Sequence, residues 1–335
     1  MTDPVNTIPE FARNSVNLAS PRLGSQAVLA SDEFFAAKER MLQDSKPVFI
    51  ADKYDDNGKW MDGWESRRRR DGGNDWCLVR LGVTGLIHGV DIDTRHFTGN
   101  HPPAASLKAC LSIGQPDEAS EWSEILPAVD LDPNSHNFAE ISSPGPWNWL
   151  RLDILPDGGV ARLRVYGRPH VDWSEMNADS IHELSALKNG GRVVAYNDAH
   201  YGDVWAVLSE GRGVNMGDGW ETRRRREPGN DWMIIALGAP GAVEAIEVDT
   251  AHFKGNYPDR CSVQAARVVN ATDAALIEQS MNWDTLMEEQ PLSADSIHRF
   301  EGDAIAALGR VSHVRLNIHP DGGVSRFRVF GKPSL

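Results

Sequence analysis

One long stretch of this chain occurs twice, and no other feature constrains its fold as strongly. Asp62-Gly63-Trp64-Glu65-Ser66, the run Arg67 to Arg70 and Gly73-Asn74-Asp75-Trp76 return as Asp218-Gly219-Trp220-Glu221-Thr222, Arg223 to Arg226 and Gly229-Asn230-Asp231-Trp232. A second block, Asp93 to Asn100, returns as Asp249 to Asn256 at the same offset, 249 − 93 = 156 residues. A third block closes each copy, Arg151 to Val160 against Arg315 to Val324. Solenoid and propeller repeats have periods of roughly 20 to 50 residues. Each copy here is therefore a whole domain, and the 335 residues hold two.

Upstream, Gly24 to Phe35 matches Gly190 to Tyr201 at an offset of 190 − 24 = 166. The drop from 166 to 156 places a ten-residue insertion in the first copy, between Phe35 and Asp62, with Asp55-Asp56-Asn57-Gly58 as its turn. The expected organisation is an N-terminal arm at 1–13, a first domain at 14–170, a linker at 171–179 and a second domain at 180–335. Cys77, Val79 and Leu81 alternate with Leu78 and Arg80, and Met233, Ile235 and Leu237 repeat the pattern, with Gly82 and Gly238 expected to end those strands. Val90 and Ile92 are expected inward, with Asp91 and Asp93 outward. Leu150, Leu152 and Ile154, the turn Pro156 to Gly159, then Leu163 and Val165 read as a hairpin, with Arg151, Arg162 and Arg164 as an outward charge ladder beside Asp153. Helix signals are few: Glu33 to Leu42, Asp179 to Lys188, Ala274 to Ser280 and Asp303 to Leu308. The predicted fold is all-β, two β-sandwich domains in tandem, with connections long enough to favour jelly rolls.

A net charge of −14 argues against nucleic acid and anionic membrane as partners, since both attract clustered Lys and Arg. No run of about 18 apolar residues occurs, so no membrane-spanning helix is expected. Met1 to Arg13 contains no secretory pattern. The three cysteines, Cys77, Cys110 and Cys261, have no counterparts between copies and read as reduced thiols of a cytoplasmic protein.

His96 and His252 each stand three residues after an Asp, in a loop leaving a strand. Two readings stand side by side: the aspartate ties down the loop while the histidine packs beside Phe97 or Phe253, or the pair takes part in a site. Asp-x-x-His alone falls short of the three or four ligands of a zinc site. Within the arginine runs, one or two planar forks suit an anionic substrate, while others meet Glu65, Asp71, Glu221 or Glu227. His136 and His298 are duplicated too and are further acid-base candidates. No phosphate loop, nucleophile elbow or His-Glu-x-x-His motif is present.

The motifs Met61-Asp62-Gly63-Trp64-Glu65-Ser66-Arg67-Arg68, Asp93 to Asn100 ending Phe-Thr-Gly-Asn, and Pro156 to Gly167 resemble allantoicases, over almost the whole chain and including the duplication. That resemblance implies two galactose-binding-like jelly rolls, a homo-oligomer, and hydrolysis of allantoate to ureidoglycolate and urea in purine breakdown. The centre attacked is an aminal, so urea can leave by acid-base chemistry. The candidate catalytic residues are His96, His252, Asp93, Asp249, Glu65 and Glu221. The candidate substrate-binding residues are Arg67, Arg68, Arg223, Arg224, Asn100 and Asn256. No cofactor is required by the sequence, and a divalent ion is compatible with it. The copies differ at Arg95 and Ala251, Thr98 and Lys254, His101 and Tyr257, and Leu155 and His319. The competing class is a non-enzymatic jelly-roll module binding a small molecule or carbohydrate.

Overall fold

The structure, a computed structural model, describes residues 8–334 apart from Asn14, Glu118, Asp203 and Asn270. The chain forms two compact units, Met1–His170 and Val171–Leu335. Most of the expected N-terminal arm lies outside the described residues. Its end is the short helix α1 (Glu10–Arg13), from which Phe11 packs on Phe138 and Tyr166.

The first unit runs β1 (Val16–Asn17), β2 (Gln26–Ala30), β3 (Tyr54–Asp55), β4 (Gly58–Lys59), β5 (Trp64–Glu65), β6 (Asp75–Asp93), β7 (Ala104–Cys110), β8 (Ser123–Asp130), β9 (Phe138–Glu140), β10 (Trp147–Leu155), β11 (Gly159–Val160) and β12 (Arg162–Pro169). The second repeats it as β13 (His182–Glu183), β14 (Arg192–Tyr196), β15 (Tyr201–Gly202), β16 (Trp220–Glu221), β17 (Asp231–Asp249), β18 (Arg260–Ala266), β19 (Asp284–Pro291), β20 (Ile297–Glu301), β21 (Arg310–His319), β22 (Gly323–Val324) and β23 (Arg326–Pro333). The one further α-helix among the described residues, α2 (Asp273–Gln279), falls on the expected segment at Ala274. The fold is all-β, a tandem pair of jelly-roll sandwiches, each built on an eight-stranded sheet.

The long strands β6 and β17 organise the two sheets. The first half of β6 pairs with β2 and β10, and the second half with β12 and β9, so one strand serves both halves of the sandwich. Gly82 and Gly238 do not end these strands, contrary to the expectation. A Cβ on Gly82 would lie 1.8 Å from the Leu23 carbonyl oxygen, and one on Gly238 1.8 Å from that of Asn189. Glycine is required there by close approach of a turn, not by chain reversal.

Three further expectations are corrected. Asp179 to Lys188 is not a helix: His182 and Glu183 pair with Gly331 and Phe330 of β23, as Val16 and Asn17 pair on β12, because a strand edge is available to take their backbone groups. Glu33 to Leu42 and Asp303 to Leu308 contain only 3₁₀ turns, at Lys38–Leu42 and Gly302–Ala304. The faces of the strands assigned to solvent are partly buried. Asp91 and Asp93 are each 1% exposed and Arg162 is fully buried: His136 and Asn137 lie on Asp91, Arg95 lies on Asp93, and the segment following Lys38 meets Arg162.

That buried face carries the main polar anchor of each unit. Arg162 donates to Asp62 Oδ2 at 2.8 Å and to the carbonyls of Asp62, Ala161, Arg40 and Ser45. Asp62 Oδ2 also accepts the Val48 N–H at 2.9 Å. In the second unit Arg326, Asp218, Gly211 and Val214 make the same set. The loops Ser45–Val48 and Gly211–Val214 are thereby latched onto the sheet. In the second unit Arg328 extends the latch, donating to Glu247 and Gly211 with Glu183 3.7 Å away. Burial pushes the Glu183 carboxyl up to about 7, against the pull of Arg328 and Lys188.

Two outcomes follow for stability. Arg162→Ala takes the ion-pair partner from buried Asp62, and is expected to cost about 3–5 kcal/mol, read as a lower denaturant midpoint. Glu183 has a folded pKa above its ordinary 4.5, so the native state binds the extra proton between that value and about 7. Stability then falls as pH rises through this window. In Glu183→Gln the loss between about pH 5 and about pH 8 should shrink, by on the order of 1 kcal/mol.

Candidate functional site

The three repeated blocks converge in space at one end of each sandwich. β5 brings Glu65 beside β11, where Gly159 pairs with Glu65 and Val160 with Trp64. Asn100, from the loop after β6, donates from Nδ2 to Glu65 Oε1 at 2.6 Å. The turn before β11 approaches that loop closely, with the Gly159 N–H donating to the Asn100 carbonyl at 2.7 Å. A Cβ on Gly158 would lie 2.6 Å from Pro102 N, and one on Gly159 1.9 Å from the Phe97 ring, which accounts for the Gly-Gly pair. The second unit repeats this, with Asn256 donating to Glu221 and the Gly323 N–H to the Asn256 carbonyl.

The arginine runs alternate, as an extended chain dictates. Arg67 pairs with Asp32, and Arg69 with Asp71 and Asp75. Arg223 pairs with Asp198, and Arg225 with Asp231. Arg68 is drawn to Asp157 at 3.7 Å. Its counterpart Arg224 is exposed, has no protein partner among the described residues, and lines a cavity of about 700 Å³. Glu221, Asn256, Arg223, His200, Tyr201 and Tyr257 share that cavity.

The other candidates are placed elsewhere. His96 and His252 adopt left-handed backbone, φ 71° and 70°, held by Asn134 and Asp295 side chains on their N–H groups. Their rings turn to the latched loops: His96 Nε2 bonds the Pro47 carbonyl at 3.2 Å and His252 Nε2 that of Gly213 at 2.6 Å. Asp93 faces the Arg95 guanidinium at 2.6 Å. Asp249, with Ala251 in place of that arginine, has one oxygen on the Ala251 N–H and Arg212 3.9 Å from the other. The structure thus joins Glu65 to Asn100, and gathers Glu221, Asn256 and Arg224 on one cavity, without joining Asp93, His96, Asp249 or His252 to them.

His200 and Tyr201 were missed as candidates. They occupy the positions of Phe34 and Phe35 in the 166-residue alignment, so reading down that alignment for a polar exchange would have found them. Burial lifts the Glu65 carboxyl above the ordinary range against its hydrogen bond from Asn100, and the Asp55 charge adds to the rise.

Among the described residues one group has donor atoms close enough for a metal ion: Asp91, Asp93 and His136, within 4.8 Å of one another. His136 Nδ1 lies 2.5 Å from Asp91 Oδ2, and that contact holds the imidazole above its ordinary pKa. Arg95 and His136 already balance both carboxylates, and the second unit substitutes Glu247 paired with Arg328. The donor set does not call for a metal.

Fold and site together define a class: a duplicated jelly-roll protein whose strand-end loops gather a carboxylate, an amide and arginines around a small polar cavity. The family model described as allantoicase repeat matches residues 16–170 and 182–334. A relative named probable allantoicase 1, from Burkholderia mallei, is 58% identical across 99% of this chain and 98% of its own. The crystal structure of allantoicase from Saccharomyces cerevisiae matches with a TM-score of 0.78 at 35% identity, covering 95% of this chain and 94% of that one. A further allantoicase structure matches at 0.80 and 34%, with the same coverage. The chain belongs to the allantoicase family, and its sandwiches are galactose-binding-like.

Proposed function

We propose that this chain hydrolyses allantoate to ureidoglycolate and urea where the three blocks converge, with the second unit's cavity as the working geometry. Family membership makes the protein an allantoicase, a hydrolase acting on carbon–nitrogen bonds of linear amidines. The observation that carries the placement is Arg224, a guanidinium unpaired among the described residues and on the same cavity as the Glu221–Asn256 pair.

In this reading Arg224 takes the substrate carboxylate through its planar fork. Asn256, its amide fixed by Glu221, offers its carbonyl to a ureido N–H. Glu221 removes the N–H proton of the retained ureido group while His200 protonates the departing nitrogen, so the C–N bond breaks and urea leaves. The remaining C=N bond adds water: His200 takes the water proton, hydroxide bonds to carbon, and Glu221 returns its proton to nitrogen. Both groups end as they began. His96 and His252, whose Nε2 atoms face backbone carbonyls, are assigned to holding the latched loops instead. Asp93 and Asp249 are assigned to the buried charge network beside them.

No helix among the described residues is long and apolar enough to cross a membrane. The three cysteines are all buried as free thiols, which supports a reducing, cytoplasmic setting. A homo-oligomeric assembly completes the reading.

Arg224→Gln is expected to raise KM for allantoate at least about tenfold, roughly 1.4 kcal/mol, in urea-release assays, with thermal unfolding unchanged. An unchanged KM removes the carboxylate assignment. His252→Ala should lower stability by on the order of 1 kcal/mol through the lost hydrogen bond and the left-handed backbone, while kcat stays within about tenfold of the parent. Urea release before and after exhaustive chelation tests the acid-base route against a need for a divalent ion.

A further inference from the structure

Resting on the placement of turnover at Glu221, Asn256 and Arg224, we propose that the first unit is a closed, non-catalytic copy. The segment between Val48 and Asp62 closes it, and the second unit alone turns over allantoate. The segment's ends are fixed by the latch. Val48 donates its N–H to Asp62, and Val214 donates its N–H to Asp218. Between those points the second unit has three residues, Asn215 to Gly217, and the first has thirteen, Phe49 to Met61, so the difference of ten is the whole insertion.

The extra residues form the hairpin β3–β4, which reaches from the latch toward Glu65. Trp60 braces its base, its ring 3.6 Å from Lys53 Nζ and its N–H bonded to the Lys53 carbonyl. At the tip, Asn57 donates from its backbone to Asp55 Oδ1 and from Nδ2 to the Phe34 carbonyl at 2.8 Å. Phe34 is two residues from Ala36, which bridges to Glu65. The tip is thus pinned to the segment flanking Glu65, and the Asp55 charge is near enough to act on that carboxyl.

Two exchanges and two changed arginine contacts follow the same direction. In the 166-residue alignment Phe34 and Phe35 take the places of His200 and Tyr201, so the assigned proton donor has no counterpart in sequence. Arg67 stacks on Phe34 at 5.1 Å. Arg68 leans to Asp157, while Arg224 is unpaired among the described residues. An anionic substrate approaching Glu65 meets a second carboxylate, an Arg68 guanidinium shared with Asp157 and, in the alignment, a phenylalanine in the position of His200. Like charges at a site that must take a carboxylate disfavour that ligand.

Matched substitutions test this. Glu221→Gln is expected to lower kcat/KM for allantoate at least a hundredfold and Glu65→Gln less than threefold. Arg224→Gln and Arg68→Gln, exposed side chains whose loss leaves folding intact, should show the same contrast in KM. Comparable losses in both units overturn the inference while the site assignment stands, and a loss in the first unit alone overturns both. No loss from any of the four overturns the site assignment, and the inference with it. Calorimetric titration of allantoate into the Glu221→Gln chain should give one equivalent per chain, and two equivalents would overturn the inference.

Discussion

A guanidinium sealed from water has to find its partners inside the protein, and each unit is arranged around one such group. Arg162 and Arg326 are 0% and 2% exposed. Each spends its donors on one aspartate and on loop carbonyls, and breaking such a set strands a buried charge. The loops at Ser45 and Gly211 therefore have one conformation compatible with folding. They cover the buried arginines, while in the first unit His136, Asn137 and Arg95 close over the sheet's aspartates.

That constraint divides the repeated residues into two groups. Asp62, His96 and Arg162, with Asp218, His252 and Arg326, all reach the latched loop and hold it from three sides. Glu65, Asn100 and the Gly-Gly turn, with Glu221, Asn256 and theirs, meet at the strand ends. The latch and the site are joined through one short path, since Asp62 and Glu65 are three residues apart, as are Asp218 and Glu221. Anchoring the first fixes the entry of the strand that carries the second.

The duplication preserved the latch and the Glu–Asn pair in both units while letting the rim diverge. The rim is where a change costs least in stability, because its side chains are exposed or half-buried and make few obligatory hydrogen bonds. The arginine runs show the same economy. Alternate members are tied to aspartates that shape the loop, and of the intervening ones Arg224 lines the second unit's cavity.

The sequence alone determined the duplication, the two all-β sandwiches, the position of the ten-residue insertion and the family, because offsets and period-two alternation are local signals carried by the order of residues. It also held Glu65, Asn100, Arg68 and their copies, since each lies in a repeated block. Which repeated residues share a site was not legible. His96 lies only four residues before Asn100, yet a left-handed backbone turns it to the loop instead of to Glu65. Burial of Asp91, Asp93 and Arg162 was equally hidden, since polar-out alternation assumes a solvated face, and a loop distant in sequence covers this one. Tertiary structure decided those points because direction and cover depend on what packs against a strand, and no spacing along the chain encodes that.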